Sequence, residues 1–234
     1  MIRLYILVEG QTEEEFVKHT LQPHLLHHGV DARVIVVATR RDRAGRKHRG
    51  GGRWSHWKRD LEVIARQQHA SDVRITTLFD LYGLPKDFPQ PTDLPRTTDT
   101  RVVAECLEEV MAEAIGDSQD RLIPYLQRHE FEALVLAALD HLEAVIDRPD
   151  QLRGLAALRR EIGDQSPEDI DDSPLTAPSK RLHRLVPGYQ KTLHGTTAVN
   201  AAGISRLREA CPRFSQWVGR LESLGGTLGV DPGR

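Results

Sequence analysis

The sequence has few cysteines, few aromatic residues and no long hydrophobic run. Its 234 residues include only two cysteines, Cys106 and Cys211, which form no pair motif. This argues against a disulfide framework and a cysteine zinc site, and it suits a reducing compartment. The apolar start MIRLYILV is interrupted at Glu9 and no later stretch reaches membrane length. We therefore expect a cytoplasmic protein with neither a signal peptide nor a membrane span.

The charge balance is close to neutral, with a formal net charge of −2. The chain as a whole is not a polycation, so binding to nucleic acid would have to depend on a local basic patch. Hydrophobic residues make up 39% of the sequence and charged residues 28%. This composition is typical of a globular protein that buries a core, and not of a disordered one.

Apolar runs alternate with amphipathic segments in the first half of the chain. Strands are predicted at 2–8, 33–38, 73–79 and 121–126, the last with an edge or strand end at Pro124. Helices are predicted between them; the first opens with a capping box at Thr12 and Glu15, and Pro23 kinks or ends it. This order predicts an α/β, Rossmann-like fold with a mostly parallel four-stranded sheet flanked by helices. We expect an α/β core at 1–128 and a helical C-terminal cap packed on it at 129–234.

Acidic residues follow the predicted strands. Glu9 follows the first strand and Asp80 the third, so both should lie at the carboxyl edge of the sheet, where open parallel sheets place their functional crevice. Glu13 lies one helical turn beyond Glu9, and Glu130 and Glu132 follow the fourth strand. Two carboxylates about 4 Å apart repel by about 4 kcal/mol at an effective dielectric near 20, so such a group needs a cation or protons. Oxygen ligands without cysteine or a clear histidine pair favour Mg²⁺ or Mn²⁺ over zinc.

A simpler interpretation of three of these residues stays open. Acidic residues are common in the first turn of helices, where they complement the helix dipole, and Glu13, Glu130 and Glu132 also fit that role. His129 precedes Glu130, but HEFEA lacks the HExxH spacing of a zinc site, which favours a hydrogen-bonded structural histidine.

Two basic groups are candidates for contacts with a phosphate backbone. The first is a glycine-rich stretch at 40–53, predicted to be a mobile loop. Its basic residues are Arg40, Arg41, Arg43, Arg46, Lys47, Arg49 and Arg53. Trp54 and Trp57 follow and either stack on the bases of a single strand or belong to the core. The second group comprises Lys180, Arg181, Lys191 and His194; it binds phosphate, lies on a partner interface, or is a solvated helix face.

Four segments together resemble a Toprim-like family of unknown function, DUF4276. They are VEGQTEEEFV at 8–17, LFDLYGLPKDFP at 78–89, PYLQRHEFEALV at 124–135 and PSKRLHRLVPGYQKTLHG at 178–195, and CPRFSQWVGRLESL at 211–224 continues the match. The family occurs in bacterial genomes, often near restriction or phage-defence genes and beside SMC/ABC-type ATPases. The resemblance implies a Toprim-like fold, Mg²⁺-dependent phosphodiester chemistry and a possible ATPase partner.

Within the wider Toprim fold the resemblance implies a glutamate after the first strand and an Asp-x-Asp after the third. Glu9 and Asp80 match the first two positions, but Tyr82 stands where the second aspartate would be. This departure leaves the number of metal ions open. Further acidic residues complete the metal site in nuclease branches of the fold, and the resemblance implies that Glu130 or Glu132 would do so here. We take Glu9, Asp80 and Glu132 as the metal ligands. Glu13 and Glu130 would be auxiliary ligands, or one of the three glutamates a general base.

The sequence thus predicts a Mg²⁺- or Mn²⁺-dependent nuclease that acts on DNA or RNA, in phage defence with an ATPase partner. Two alternatives remain: a non-catalytic adaptor with a degenerate Toprim site that binds metal or nucleotide and docks on an ATPase, or a nuclease restricted to structured RNA. No Walker-type glycine loop is present, so ATP hydrolysis would come from a partner. The pattern leaves open whether the protein is a monomer or a homodimer.

Overall fold

The computed structural model of the chain describes residues 1–41, 47–49, 52–67, 71–91, 93, 96–116, 121–170 and 176–226. In this part of the chain, a parallel sheet contains β1 (Ile2–Val8), β2 (Val30–Val36), β5 (Val73–Asp80) and the short strands β6 (Leu122–Ile123) and β7 (Leu126–Gln127). The strand order is β2-β1-β5-β6, and β7 also pairs with β5. The chain has the predicted Rossmann-like α/β fold with a parallel sheet.

One face of the sheet is covered by α3 (Trp54–Gln67) and α4 (Thr100–Ile115). These helices bury an apolar stripe against Leu7, Ile75 and Phe79 of the sheet. Trp57 is fully buried, with its ring 4.1 Å from that of Phe79. Trp54 is also buried, and its ring centre lies 4.8 Å from that of Phe88. The prediction that the two tryptophans belong to the core is therefore confirmed.

The opposite face is covered by the first helical segment and by the C-terminal helices. The first segment runs from α1 (Gln11–Phe16) through a π-helical turn (Val17–Leu21) to α2 (Gln22–His27). The C-terminal helices are α5 (Glu132–Ala137), α6 (Leu139–Val145), α7 (Pro149–Ile162), α8 (Pro178–Leu185), α9 (Thr196–Ala210) and α10 (Pro212–Ser223), with a π-helical turn at Lys191–Gly195 before α9. They share one continuous apolar core with β1 and α1.

Helix α10 is fastened directly to the sheet. Its Trp217 stacks on Tyr125 at 4.4 Å and donates a hydrogen bond of 2.9 Å to the hydroxyl of Thr76 in β5. The buried carboxylate of Glu168 accepts the backbone N–H groups of Arg213 and Phe214 at 2.8 and 3.0 Å, which satisfies free donors at the start of α10. The helical part thus packs tightly on the α/β part.

Four details of the predicted elements differ from the structure. The strand predicted at 121–126 is split into β6 and β7, because Pro124 lacks the N–H that the ladder needs; the strand end predicted at Pro124 is confirmed, since β6 ends at Ile123. The hydroxyl of Thr77 bridges the gap by bonding both N and O of Tyr125, at 2.8 and 2.9 Å. Of the two outcomes predicted at Pro23, a kink or an end, the end is wrong, because helical structure continues through α2; Pro23 follows directly after the π-helical turn at Val17–Leu21.

The third difference concerns the basic stretch at 40–53. Part of the predicted loop forms two short antiparallel strands, β3 (Ala38–Arg41) and β4 (Lys47–Arg49). The second strand of the sheet also begins earlier than predicted, at Val30.

Candidate functional site

The sheet topology brings two acidic residues to one edge. Strand β1 has β2 on one side and β5 on the other, so the strand order reverses between β1 and β5. Val8 is the register partner of Leu78, which places Glu9 and Asp80 beside each other at the carboxyl ends of these strands. This is the position at which open parallel sheets form a ligand crevice.

The carboxylate of Glu9 is held by the backbone of the neighbouring strand. Its Oε1 accepts a hydrogen bond of 3.0 Å from the backbone N–H of Asp80. Burial raises the pKa of Glu9 well above its usual range, and the negative charge of Asp80 raises it further. The two acidic groups therefore interact directly, and holding both ionised costs free energy unless a cation is near.

The pKa of Asp80 is raised as well. Burial raises its pKa to about 7; the Lys191 ammonium opposes that rise, while Glu13, Glu132 and Glu130 add to it. A carboxyl group with a pKa near 7 is partly protonated at neutral pH. Such shifts are typical of functional sites.

Two further glutamates enter the same crevice from helix starts. Glu13 is buried in the first turn of α1, and its Oε2 accepts the backbone N–H of Gly10 at 3.1 Å. This is the capping interaction that the sequence analysis assigned to Thr12 and Glu15; the helix instead begins at Gln11. Glu132 is buried at the start of α5, and burial raises its pKa above the usual value.

Glu130 points to a different partner. Its Oε2 accepts the backbone N–H of Ser179, at 3.1 Å, near the start of α8. Its charge still raises the pKa values of Asp80 and Glu132. The structure therefore places Glu130 near the site as a contributor of negative charge, with one of its oxygens already bonded.

Lys191 lies among the carboxylates of Glu13, Asp80 and Glu132. We call these three residues together with Glu9 the acidic cluster. The ammonium Nζ is 3.1 Å from Glu132, 3.3 Å from Asp80 and 3.5 Å from Glu13. It also lies 5.6 Å from the centre of the Phe131 ring. Burial lowers the pKa of Lys191, but the negative charges of Asp80, Glu132 and Glu13 outweigh burial and raise it above its ordinary value. The sequence analysis placed Lys191 in an outer basic group, whereas the structure places it inside the cluster.

The chemistry of these donors fits a hard divalent cation held by few protein ligands. All are carboxylate oxygens, the ligands that Mg²⁺ and Mn²⁺ prefer. Among the described residues, the oxygens of the acidic cluster do not form a group of three within 4.8 Å of one another, so the three predicted metal ligands Glu9, Asp80 and Glu132 are not gathered as closely as a three-carboxylate site requires. One or two carboxylates, with water and substrate phosphate completing the shell, are the usual ligands of Mg²⁺.

Gly83 closes the crevice over Glu9. A Cβ atom at this position would lie 3.0 and 3.1 Å from the two carboxylate oxygens of Glu9 and 3.3 Å from Cβ of Asp80. A larger residue at this position would force the Glu9 carboxylate to shift by a few tenths of an ångström.

Tyr82, which stands where the resemblance implies a second aspartate, joins two loops. Its backbone N–H donates to the carbonyl of His129 at 3.0 Å, and the two rings are 5.4 Å apart. His129 is buried and its Nε2 bonds the carbonyl of Glu168 at 2.8 Å. This is the structural role predicted for the histidine. It fixes the loop that leads to Glu132.

The predicted nucleic-acid contacts lie in different surroundings. Arg53 and Lys180 are exposed, and Arg181 pairs with Glu161 while donating to the carbonyl of Thr176 at 2.8 Å. The predictions for the remaining arginines and the lysine of 40–53 lie outside the described side chains: Arg40, Arg41, Arg43, Arg46, Lys47 and Arg49. With Trp54 and Trp57 buried, stacking of these two rings on bases is not available.

Comparison with known proteins identifies the family. The family described as "Domain of unknown function (DUF4276)" matches residues 8–222, which include the whole acidic cluster and Lys191. The chain belongs to this family. No curated protein matches the chain significantly. Among solved structures, the DUF4276 chain is similar to the C-terminal region of the OLD protein of Xanthomonas campestris pv. campestris, with 14% identity, a TM-score of 0.37, and coverage of 94% of this chain and 98% of the other. In the described part, this DUF4276 protein has no helix that is both long and apolar enough to cross a membrane.

Sequence reasoning named Lys191 as a candidate phosphate contact but did not place it in the acidic cluster, and it missed Gly83. A single sequence carries no signal that distinguishes a lysine pointing into a cluster of carboxylates from one on a surface. Gly83 was visible in LFDLYG, and its position three residues after Asp80 was a signal of a close backbone approach.

Proposed function

We propose that this DUF4276 protein is a metal-dependent phosphodiesterase that cleaves nucleic acid, with Glu9 and Asp80 as the principal ligands of Mg²⁺ or Mn²⁺. The observation that carries the proposal is the convergence of the acidic cluster on the crevice where strand order reverses. Four carboxylates with one contacting ammonium group leave a strong excess of negative charge when all are ionised. A divalent cation is the simplest way to neutralise that excess.

The residues of the cluster would divide the work. A bound ion supplies charge neutralisation at the phosphate and lowers the pKa of a coordinated water. Glu132 is our candidate for a third ligand or for the general base, because it is buried, has a raised pKa and contacts Lys191. Glu13 holds the start of α1 through Gly10 and contacts Lys191, so it acts as an auxiliary ligand or positions the lysine.

Lys191 would bind the negatively charged substrate. Its ammonium group already lies between carboxylates that the ion would neutralise, and it can donate to a phosphate oxygen that enters the crevice. Phosphate binding was one of the three roles that the sequence left open for Lys191; here the contact would be at the reacting group and not along the backbone of the nucleic acid.

A cleavage assay tests the proposal. The purified chain is incubated with labelled single- and double-stranded DNA and RNA in Mg²⁺, Mn²⁺ or EDTA, without and with an SMC/ABC-type ATPase. Cleavage should require the metal and fall by about 100-fold or more in Glu9→Gln and Asp80→Asn, since losing a metal ligand removes several kcal/mol of transition-state stabilisation. The matched control is Glu109→Gln, an exposed position on α4, which should cleave at the wild-type rate. Equal activity in all four proteins would contradict the proposal.

The non-catalytic adaptor is the second candidate, and two observations favour it. Tyr82 stands in place of the second aspartate of the Toprim pattern. The ammonium group of Lys191 contacts three carboxylates and could stabilise the crevice without a metal. An adaptor would show no metal-dependent cleavage of any substrate with or without the ATPase, and Glu9→Gln would leave ATPase docking unchanged.

The basic stretch at 40–53 is our candidate for contact with the nucleic-acid backbone. Replacing its arginines and lysine by alanine should weaken binding to all sequences alike and make the dependence of affinity on salt shallower, by about 0.9 in the log–log slope per lost contact with B-DNA. A fluorescence-anisotropy titration at several salt concentrations measures both effects. An unchanged dependence of affinity on salt would exclude this contact. The Glu9→Gln and Asp80→Asn variants, in which the basic stretch is intact, are the control.

A further inference from the structure

The structure contains a second group of metal-ligating side chains, far from the acidic cluster. His24 and His28 are four residues apart at the end of α2, and Glu222 reaches them from α10. His24 Nε2 lies 2.6 Å from Oε1 of Glu222, and His28 Nε2 lies 3.7 Å from the same oxygen. One donor atom from each of the three residues lies within 4.8 Å of the other two.

We propose that His24, His28 and Glu222 form a zinc site that ties α2 to α10. Two imidazole nitrogens and one carboxylate, with water in the fourth position, are a ligand set that zinc takes in proteins. Zinc–ligand distances near 2.1 Å place neighbouring ligand atoms roughly 3.4 Å apart. Small side-chain rotations would therefore be enough to seat an ion.

Two features hold the ligands in place. Arg208 Nη1 donates to Oε1 of Glu222 at 2.6 Å, and Nε of the same arginine donates to the hydroxyl of Ser215 at 3.2 Å, so the carboxylate is oriented from outside. Ligating carboxylates in metal sites are commonly held this way, and the carboxylate retains other lone pairs for the ion. The backbones also touch: a Cβ on Gly225 would lie 1.7 Å from the carbonyl oxygen of His28. The segments that carry the ligands are thus in contact without any metal.

The site is open to solvent and separate from the crevice. The side chains of His24 and His28 are 27% and 43% exposed, so an ion can enter. Helix α2 leads into β2 at Val30, the residue paired with Ile2, and therefore ends at the amino edge of the sheet. The acidic cluster lies at the carboxyl edge, about 20 Å away along a seven-residue strand. The proposed zinc site would stabilise the packing of the C-terminal helix and does not depend on the proposed function.

Zinc titration of the tag-free full chain by calorimetry tests the proposal. The titration is done in excess Mg²⁺, which competes with zinc for the carboxylate oxygens of the acidic cluster. We expect one zinc per chain with micromolar or tighter affinity, and a melting temperature that rises by about 5–10 °C at a zinc concentration 100 times the Kd. The cobalt(II) form should show the visible absorption of tetrahedral nitrogen and oxygen coordination.

Variants then distinguish this site from any other. Affinity should fall by about tenfold or more in His28→Gln and by about 100-fold in the double variant His24→Gln/His28→Gln, with folding checked by circular dichroism. His27→Gln is the matched control, because its Nδ1 donates to the carbonyl of Pro23 in the same helical turn and it is not one of the three ligands. Both His27→Gln and Asp80→Asn should bind zinc as wild type does. Absence of binding, binding unchanged in the double variant, or binding lost in Asp80→Asn would each overturn the proposal.

Discussion

Replacing Lys191 by methionine isolates the charge balance of the acidic cluster. Methionine keeps most of the aliphatic length of lysine and removes only the ammonium group, which contacts Glu132, Asp80 and Glu13 at 3.1–3.5 Å. The variant leaves buried carboxylates facing one another with no contacting cation. Without a divalent metal, we expect it to be much less stable than wild type.

The distances set the magnitude. Each of the three contacts corresponds to a gross attraction of about 5 kcal/mol at an effective dielectric near 20. The net value is smaller, because the ammonium group loses hydration on burial and the carboxylates repel one another; removing one partner of a buried ion pair typically costs about 3–5 kcal/mol. The Lys191 side chain is 29% exposed, so water screens part of the charge and we expect about 3 kcal/mol at pH 8. For a chain of this size that is a fall in Tm of about 6–12 °C.

Urea unfolding in EDTA at pH 8 and pH 5.5 measures the effect. At pH 5.5, below the pKa of about 7 of Asp80, that carboxyl group is mostly protonated, and the loss should shrink to about 1 kcal/mol. Adding Mg²⁺ at pH 8 should restore part of the lost stability. Lys180→Met is the matched control, since Lys180 is exposed on α8 and its replacement should change stability by less than about 0.5 kcal/mol. A Lys191→Met protein as stable as this control, or a loss equal at both pH values, would refute the reasoning.

Three further predictions concern the crevice and the helix that supports it. Gly83→Ala places a methyl group 3.0–3.1 Å from the Glu9 carboxylate, so the affinity for Mn²⁺ should fall about tenfold with little change in Tm. The control is Gly219→Ala, whose Cβ would meet only the Arg208 guanidinium, at 3.7 Å. Equal Mn²⁺ affinities of the two variants would contradict the expectation. The pKa of Asp80 in the folded protein is raised to about 7 from 3.8, so its stabilising contribution is present below pH 4 and is lost as pH rises through 7. In EDTA, the free energy of unfolding of the wild type should therefore fall over this pH range more steeply than that of Asp80→Asn. Parallel plots of unfolding free energy against pH, measured with urea, would count against this. Glu168→Gln removes the negative charge that accepts two backbone N–H groups at the start of α10. The free energy of unfolding in urea should fall by about 2 kcal/mol, and the affinity for Mn²⁺ should not change. A fall below about 0.5 kcal/mol would show that these bonds contribute little.

The fold was largely predictable because its signals are local. Continuous apolar runs such as 2–8 and 73–79 predict strands buried on both faces, and the intervening amphipathic segments predict crossover helices. The exact bounds were less predictable. The strand end at Pro124 was visible in the sequence, but the short strand β7 and the bridge from the Thr77 hydroxyl depend on tertiary contacts. At Pro23, where a kink or an end was predicted, helical structure continues from a π-helical turn into α2.

The site was predictable only in its strand-end residues. Glu9 and Asp80 follow buried strands, so topology alone brings them together. Lys191 arrives from a segment more than one hundred residues after Asp80, and its position depends on how the C-terminal helices pack over α1 and α5. The His24–His28 spacing was present in the sequence, but Glu222 is 194 residues after His28 and joins the pair only in the folded chain.

Binding of Mn²⁺ followed by electron paramagnetic resonance tests the central claim most directly. The titration uses His28→Gln protein, so that the histidine group cannot contribute, and compares it with the same protein carrying Glu9→Gln or Asp80→Asn. We predict at least one Mn²⁺ per chain at neutral pH, displaced by Mg²⁺, with affinity reduced about tenfold or more by either added substitution. Equal Mn²⁺ binding by all three proteins would show that the carboxylates at the ends of β1 and β5 do not hold the ion.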